Sequence, residues 1–237
     1  MANLDLEEQE QLDQLKAFWR QYGNLITWSL IVVLGAFAGW NLYQRWQTNQ
    51  SAQASALFDE LDRVAKANDP AKVERVFADL KDKFPSTVYA PQAGLLVAKS
   101  QFDSGKLDEA KAALTWVAEK SGDPGYQAIA RLRLAGLLVE SKSFDEAMKQ
   151  LAGDFPSEYA GLVADRKGDI LSMMGKTAEA KTEYEKAYKL MDEKSEYRRL
   201  LEVKLNALGV DPRPPIVPNK PAPAASVVAA SSTEKKN

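Results

Sequence analysis

A chain of 237 residues with 31 basic and 33 acidic side chains has no overall positive field to neutralise phosphates, so nucleic-acid binding is not expected. Histidine and cysteine are both absent, which removes the usual zinc ligands, the thiolate nucleophile and the side chain that titrates nearest neutrality. The composition therefore points to a non-enzymatic protein: no catalytic, cofactor-binding or metal-binding residue is assigned, and the 45% hydrophobic content is enough for a packed domain.

Residues 1–23 form an acidic leader, MANLDLEEQEQLD at its start. Between Arg20 and Arg45 lie twenty-four residues without formal charge, and Leu25 to Tyr43 is their apolar centre. Nineteen helical residues rise about 28 Å, close to the hydrocarbon thickness of a bilayer. Trp19, Tyr22 and Trp28 flank one end and Trp40, Tyr43 and Trp46 the other, as in an interfacial aromatic belt. Residues 24–44 are thus predicted to be a transmembrane helix contacting the lipid bilayer. The acidic leader lacks the basic region of a cleavable signal peptide, so the segment is expected to stay as an anchor. Lys16 and Arg20 before the span against Arg45 after it favour a cytoplasmic N-terminus by a slight margin. Gly35 and Gly39 form a GxxxG pair that either admits a second helix or is an incidental pair of small residues.

Residues 45–210 read as helices separated by turns, with Pro70, Pro85, Pro91, Pro124 and Pro156 as punctuation and no alternating strand pattern. GKLDEAKAAL from Gly105, KSFDEAMKQL from Lys142 and GKTAEAKTEY from Gly175 align, their alanines Ala110, Ala147 and Ala180 separated by 37 and 33 residues. That is close to the TPR period of about 34 residues. Twelve residues before each alanine stands another small residue, Ala98, Ala135 and Gly168, as two touching antiparallel helices require. The fold class is all-α: one N-terminal transmembrane helix followed by a TPR-like helical-repeat solenoid. Ser51–Lys66 and Ala71–Lys83 read as a degenerate first pair, and Glu196–Leu208 as a capping helix for the exposed end. The pairs Asp108/Glu109 and Asp145/Glu146 fall in first turns, where they complement the helix dipole. Met173 and Met174 read as core. Residues 211–237, rich in Pro and Ala, read as a disordered tail.

With the small residue as reference, the inward positions are Gln92, Leu95, Lys99 and Phe102 in one repeat and Ile129, Leu132, Gly136 and Val139 in the next. Two readings stay open: a shallow apolar groove for a chain segment or partner helix, or a surface covered by neighbouring helices.

LKAFWRQYGN (Leu15 to Asn24), the Gly39-Trp40 pair, LRLA (Leu132 to Ala135), VADRKGD (Val163 to Asp169) and VKLNAL (Val203 to Leu208) together resemble the YfgM-type ancillary subunits of the bacterial SecYEG translocon. The Pro-rich tail departs from that pattern. The resemblance implies a single-pass bacterial inner-membrane protein with a cytoplasmic N-terminus and a periplasmic domain. It also implies association with SecYEG and with a PpiD-like periplasmic chaperone, and a part in passing newly exported polypeptides to chaperones. A TPR scaffold for a different envelope complex is the other function compatible with the residues.

Overall fold

The computed structural model describes residues 6–67 and 69–212, and among them there is no strand. Helix α1 (Leu6–Lys66) runs 61 residues without interruption, through the expected boundaries at 24 and 44. Its surface changes character along its length. From Leu25 to Tyr43 the large apolar side chains are exposed all round, and none of the apolar window is buried. A soluble helix shows one apolar stripe; this segment is long and apolar enough to cross a membrane. After Ser51 the pattern becomes one-sided, with Ala54, Leu61 and Val64 buried and Leu57, Phe58 and Ala65 half-buried at helical spacing. Within one helix, the surroundings that suit the side chains thus switch from lipid to protein.

Among the described residues eight further helices follow: α2 (Pro70–Lys83), α3 (Tyr89–Asp103), α4 (Leu107–Lys120), α5 (Pro124–Glu140), α6 (Phe144–Gln150), α7 (Ala160–Met173), α8 (Thr177–Leu190) and α9 (Tyr197–Ala207), with a 3-10 turn at Ser157–Tyr159. They pack as antiparallel pairs, α1 with α2, α3 with α4, α5 with α6 and α7 with α8, closed by α9. Starts are set by local chemistry. Pro70 and Pro124 occupy first turns, and the carboxylates of Asp69 and Asp123 accept backbone N–H groups of the helices they precede. The Lys72 ammonium and amide, both bonded to Asp69, hold that carboxyl below the usual carboxylate range. Helix α6 has only seven residues; Gly153 and Pro156 end regular structure soon after it. Arg131 then ties the irregular stretch to α5, donating to the Asp154 carbonyl at 3.3 Å and lying over the Phe155 ring.

The small residues predicted to sit between paired helices do so: Ala98, Ala110, Ala135, Ala147 and Ala180 are buried. At Gly168 the Tyr184 ring occupies the space a side chain would need, 2.6 Å from an ideal Cβ. Gly94, not singled out by the repeat, makes a closer approach: a Cβ there would meet Val117 at 2.3 Å. Asp108, Glu109, Asp145 and Glu146 lie in first turns, as expected.

The turns joining α3 to α4, α5 to α6 and α7 to α8 use one conformation. Gly105 and Gly175 have φ of 75°, and Lys142, at the aligned position, has φ of 58°. A left-handed non-glycine residue costs roughly 1–2 kcal/mol. Lys142→Gly is expected to stabilise the domain by about 1 kcal/mol once the extra freedom of glycine in the unfolded chain is set against this strain. A rise in the denaturation midpoint at constant slope checks it.

Candidate functional site

The first helices of successive pairs, α3, α5 and α7, share one face. Near their N-terminal ends α3 and α5 are tied together, the Gln92 side-chain amide donating to the Tyr126 hydroxyl at 2.6 Å. Toward their C-terminal ends a groove of about 530 Å³ opens among Phe102, Leu132, Val139, Met173, Lys99 and Gly136, with Leu114 and Leu137 also lining it.

Of the eight inward positions read from the sequence, Gln92 bridges to Tyr126, and five, Lys99, Phe102, Leu132, Gly136 and Val139, therefore line one groove. Leu95 does not: it is buried in the core, and Ile129 is half-buried against that core. Both sit toward the end where α3 and α5 converge. Met173 corrects the core reading given to the methionine pair: it is 61% exposed and lines the groove, whereas Met174 packs against the core. Gly35 and Gly39 stand on the open surface of α1, with nothing within 4 Å of where a Cβ would be. Arg133, Glu140 and Arg166 were missed and also line the groove, as does Ala98. Lys99 is paired with Asp103 at 2.6 Å, while Arg133 and Arg166 make no ion pair among the described residues. The groove is lined mainly by apolar side chains, and its charged residues are Lys99, Arg133 and Arg166 beside Glu140. Such a surface suits a segment that buries aliphatic or aromatic side chains and carries acidic ones beside them.

In the third unit the equivalent positions hold Asp165 and Asp169, and α9 takes them up. The Lys204 ammonium donates to both carboxylates at 2.6 Å, and the Tyr197 hydroxyl donates to Asp165 at 2.6 Å. Tyr184 donates to Asp169 at 2.8 Å. Asp165 is only 3% exposed, so its charge is compensated in place. Burial, then the hydrogen bond to a carboxylate, pushes the Tyr184 and Tyr197 phenols well above their ordinary range. Below this network Leu201 and Leu205 are fully buried against Ala164, Leu171, Ala180, Tyr184 and Ala187. The cap thus closes one end of the shared face and leaves the groove over α3 and α5 open.

A family model described as a tetratricopeptide repeat-like domain matches residues 16–210. The ancillary SecYEG translocon subunit of Neisseria gonorrhoeae is 31% identical over 204 residues, 86% of this chain and 98% of that protein. This chain belongs to that family. The ancillary SecYEG translocon subunit of Haemophilus influenzae is 29% identical over 184 residues, 77% of this chain and 89% of that one. The Escherichia coli member is 25% identical over 206 residues, 86% and 97% of the two chains. No solved structure gives a significant match.

The segments that carried the family resemblance have structural roles here. VADRKGD supplies Asp165 and Asp169, and VKLNAL supplies Lys204 and Leu205, which meet in the cap. LRLA places Leu132 in the groove and Ala135 in the helix contact behind it. In LKAFWRQYGN, Phe18 stacks near Tyr22 with ring centroids 5.1 Å apart, and Trp19 covers Gly23.

Proposed function

We propose that this chain is a membrane-tethered, non-enzymatic adaptor of the Sec translocon that holds segments of newly exported polypeptides in the groove over α3 and α5 and passes them to periplasmic chaperones of the PpiD type. In this reading α1 crosses the bacterial inner membrane once, with residues 24–44 in the bilayer, the N-terminus in the cytoplasm and the domain of residues 45–210 in the periplasm. The tail expected over residues 211–237 lies, from residue 213, outside the described residues and has no part in it.

The observation that carries the proposal is the open groove itself: Phe102 and Met173 are exposed apolar side chains on one concave face, on a domain that continues without a break from an apolar helix. The family's name supplies the translocon; the slight excess of Lys16 and Arg20 over Arg45 favours the orientation. The lining contains lysine, arginine and glutamate among apolar groups, a set that recognises and retains a chain more readily than it transforms one.

Phe102→Asp and Met173→Asp, both at exposed positions, are expected to leave helical content and melting unchanged. They should lower photocrosslinking from Val139 to exported chains in membranes, because docking a partner would bury an unpaired carboxylate. Folded variants with undiminished crosslinking would exclude this groove. Crosslinks to a fixed envelope protein in place of SecY, PpiD and exported chains would favour a scaffold for another complex.

A further inference from the structure

The loop joining α2 to α3 lies outside the groove and carries a separate signal. It turns tightly, the Thr87 amide and hydroxyl both donating to the Phe84 carbonyl at 3.1 and 2.9 Å. Phe84 is buried and pins the turn, while Pro85 and Ser86 are exposed and Val88 is 53% exposed. Together with the end of α2 and with Tyr43, Trp46, Gln47 and Gln50 of α1, the loop encloses a cleft of about 380 Å³.

A lone exposed valine on a soluble face needs no explanation. The position of this one along α1 gives it meaning. Tyr43 ends the apolar run, and the cleft reaches Ser51, about 12 Å further along the helix. The headgroup layer outside the hydrocarbon is about 5–7 Å thick on each side. The cleft therefore covers the depth of that layer and the water just beyond it. We propose that the α2–α3 loop is a second membrane contact, with Pro85 and Val88 resting among phospholipid headgroups beside the Tyr43 and Trp46 rings, and a headgroup entering the cleft.

This inference rests on the reading that α1 crosses the bilayer. Tyr43 and Trp46, with ring centroids 6.1 Å apart, are the residue types that favour the interface. Lys83 is paired with Asp79 at 2.8 Å and Asp82 also lines the cleft, so the contact presents no net positive charge and does not require anionic lipid. Phe102 lies about 21 Å along α3 from Val88, so the groove sits at the end of α3 away from the loop.

The chain has no cysteine, so single labels can be placed without removing any native thiol. The full chain, reconstituted in phosphatidylcholine vesicles, is labelled with an environment-sensitive fluorophore at Val88→Cys, Ser86→Cys, Leu34→Cys or Ala67→Cys. Ala67, just past the end of α1 and about 36 Å beyond Tyr43, serves as the aqueous reference. The expected result is loss of fluorescence at Val88 and Ser86 with lipids quenching near the headgroup, loss at Leu34 with lipids quenching near the bilayer centre, and none at Ala67. Quenching at Leu34 with Val88 and Ser86 no more quenched than Ala67 would overturn the loop contact and leave the spanning helix standing. Absence of quenching at Leu34 would overturn both.

Discussion

Lys204→Met is expected to destabilise the end of the solenoid by about 3–5 kcal/mol, the usual consequence of removing one partner from a buried ion pair. The ammonium sits 2.6 Å from both Asp165 and Asp169, its side chain 20% exposed and that of Asp165 only 4%. Methionine fills a similar volume but leaves two carboxylates one helical turn apart with no cation between them. Unfolding followed by circular dichroism should show α7, α8 and α9 melting ahead of the other helices. Adding Asp165→Asn should recover part of the loss, because it removes the buried charge and keeps an acceptor for the Tyr197 hydroxyl. No change on Lys204→Met alone would show that the network contributes nothing to stability. The tyrosines give the same network a pH dependence. Their folded-state values are raised, so the stability they contribute is complete below the unfolded phenol value of about 10 and is lost as pH climbs above it.

What could be read from the sequence was what local spacing controls. A helix that touches its partner at one point needs small residues there, and the offset between Ala98 and Ala110, repeated at Ala135 and Ala147, follows from the lengths of the helices and turn between them. The candidate span was legible because a helix that faces lipid must be apolar all round, and the residues from Leu25 to Tyr43 expose large apolar side chains on every side. The groove was only partly legible. Repeat register identifies a face, but Leu95 lies on that face and is covered, because exposure depends on where α3 and α5 converge. Arg133 and Arg166 fall outside the strict register and reach the groove through long side chains. Met173 looked like core because apolar residues at a helix end suit either setting; the groove leaves it without a covering neighbour. The cap network was the least visible part. Lys204 lies 39 residues from Asp165 and 35 from Asp169, and no periodicity shows that α9 would fold back onto them. The short α6 follows from Gly153 and Pro156, which the aligned repeat pattern does not contain.

Ala135→Trp should expose the link between core and groove. Ala135 is fully buried where α5 meets α6, as is Ala147 on the opposing helix. An indole cannot fit there without moving a helix, and overpacking of this kind typically costs about 1–3 kcal/mol, occasionally more. Glu109→Ala, at an exposed first-turn position, removes only a favourable charge at a helix N-terminus, worth about 0.3–1 kcal/mol. The ordering of the two denaturation midpoints tests the repeat register, and equal, unchanged midpoints would show the register to be wrong. The substitution has a second readout, since Ala135 lies between Leu132 and Gly136 on the helix that forms the groove floor. Displacing α5 from α6 shifts those residues relative to Phe102 on α3. Photocrosslinking from Val139 should therefore fall further for Ala135→Trp than for an equally destabilising variant at the cap, such as Leu205→Ala, which packs in a separate cluster. An equal fall in both would mean that crosslinking reports overall stability and not the shape of the groove.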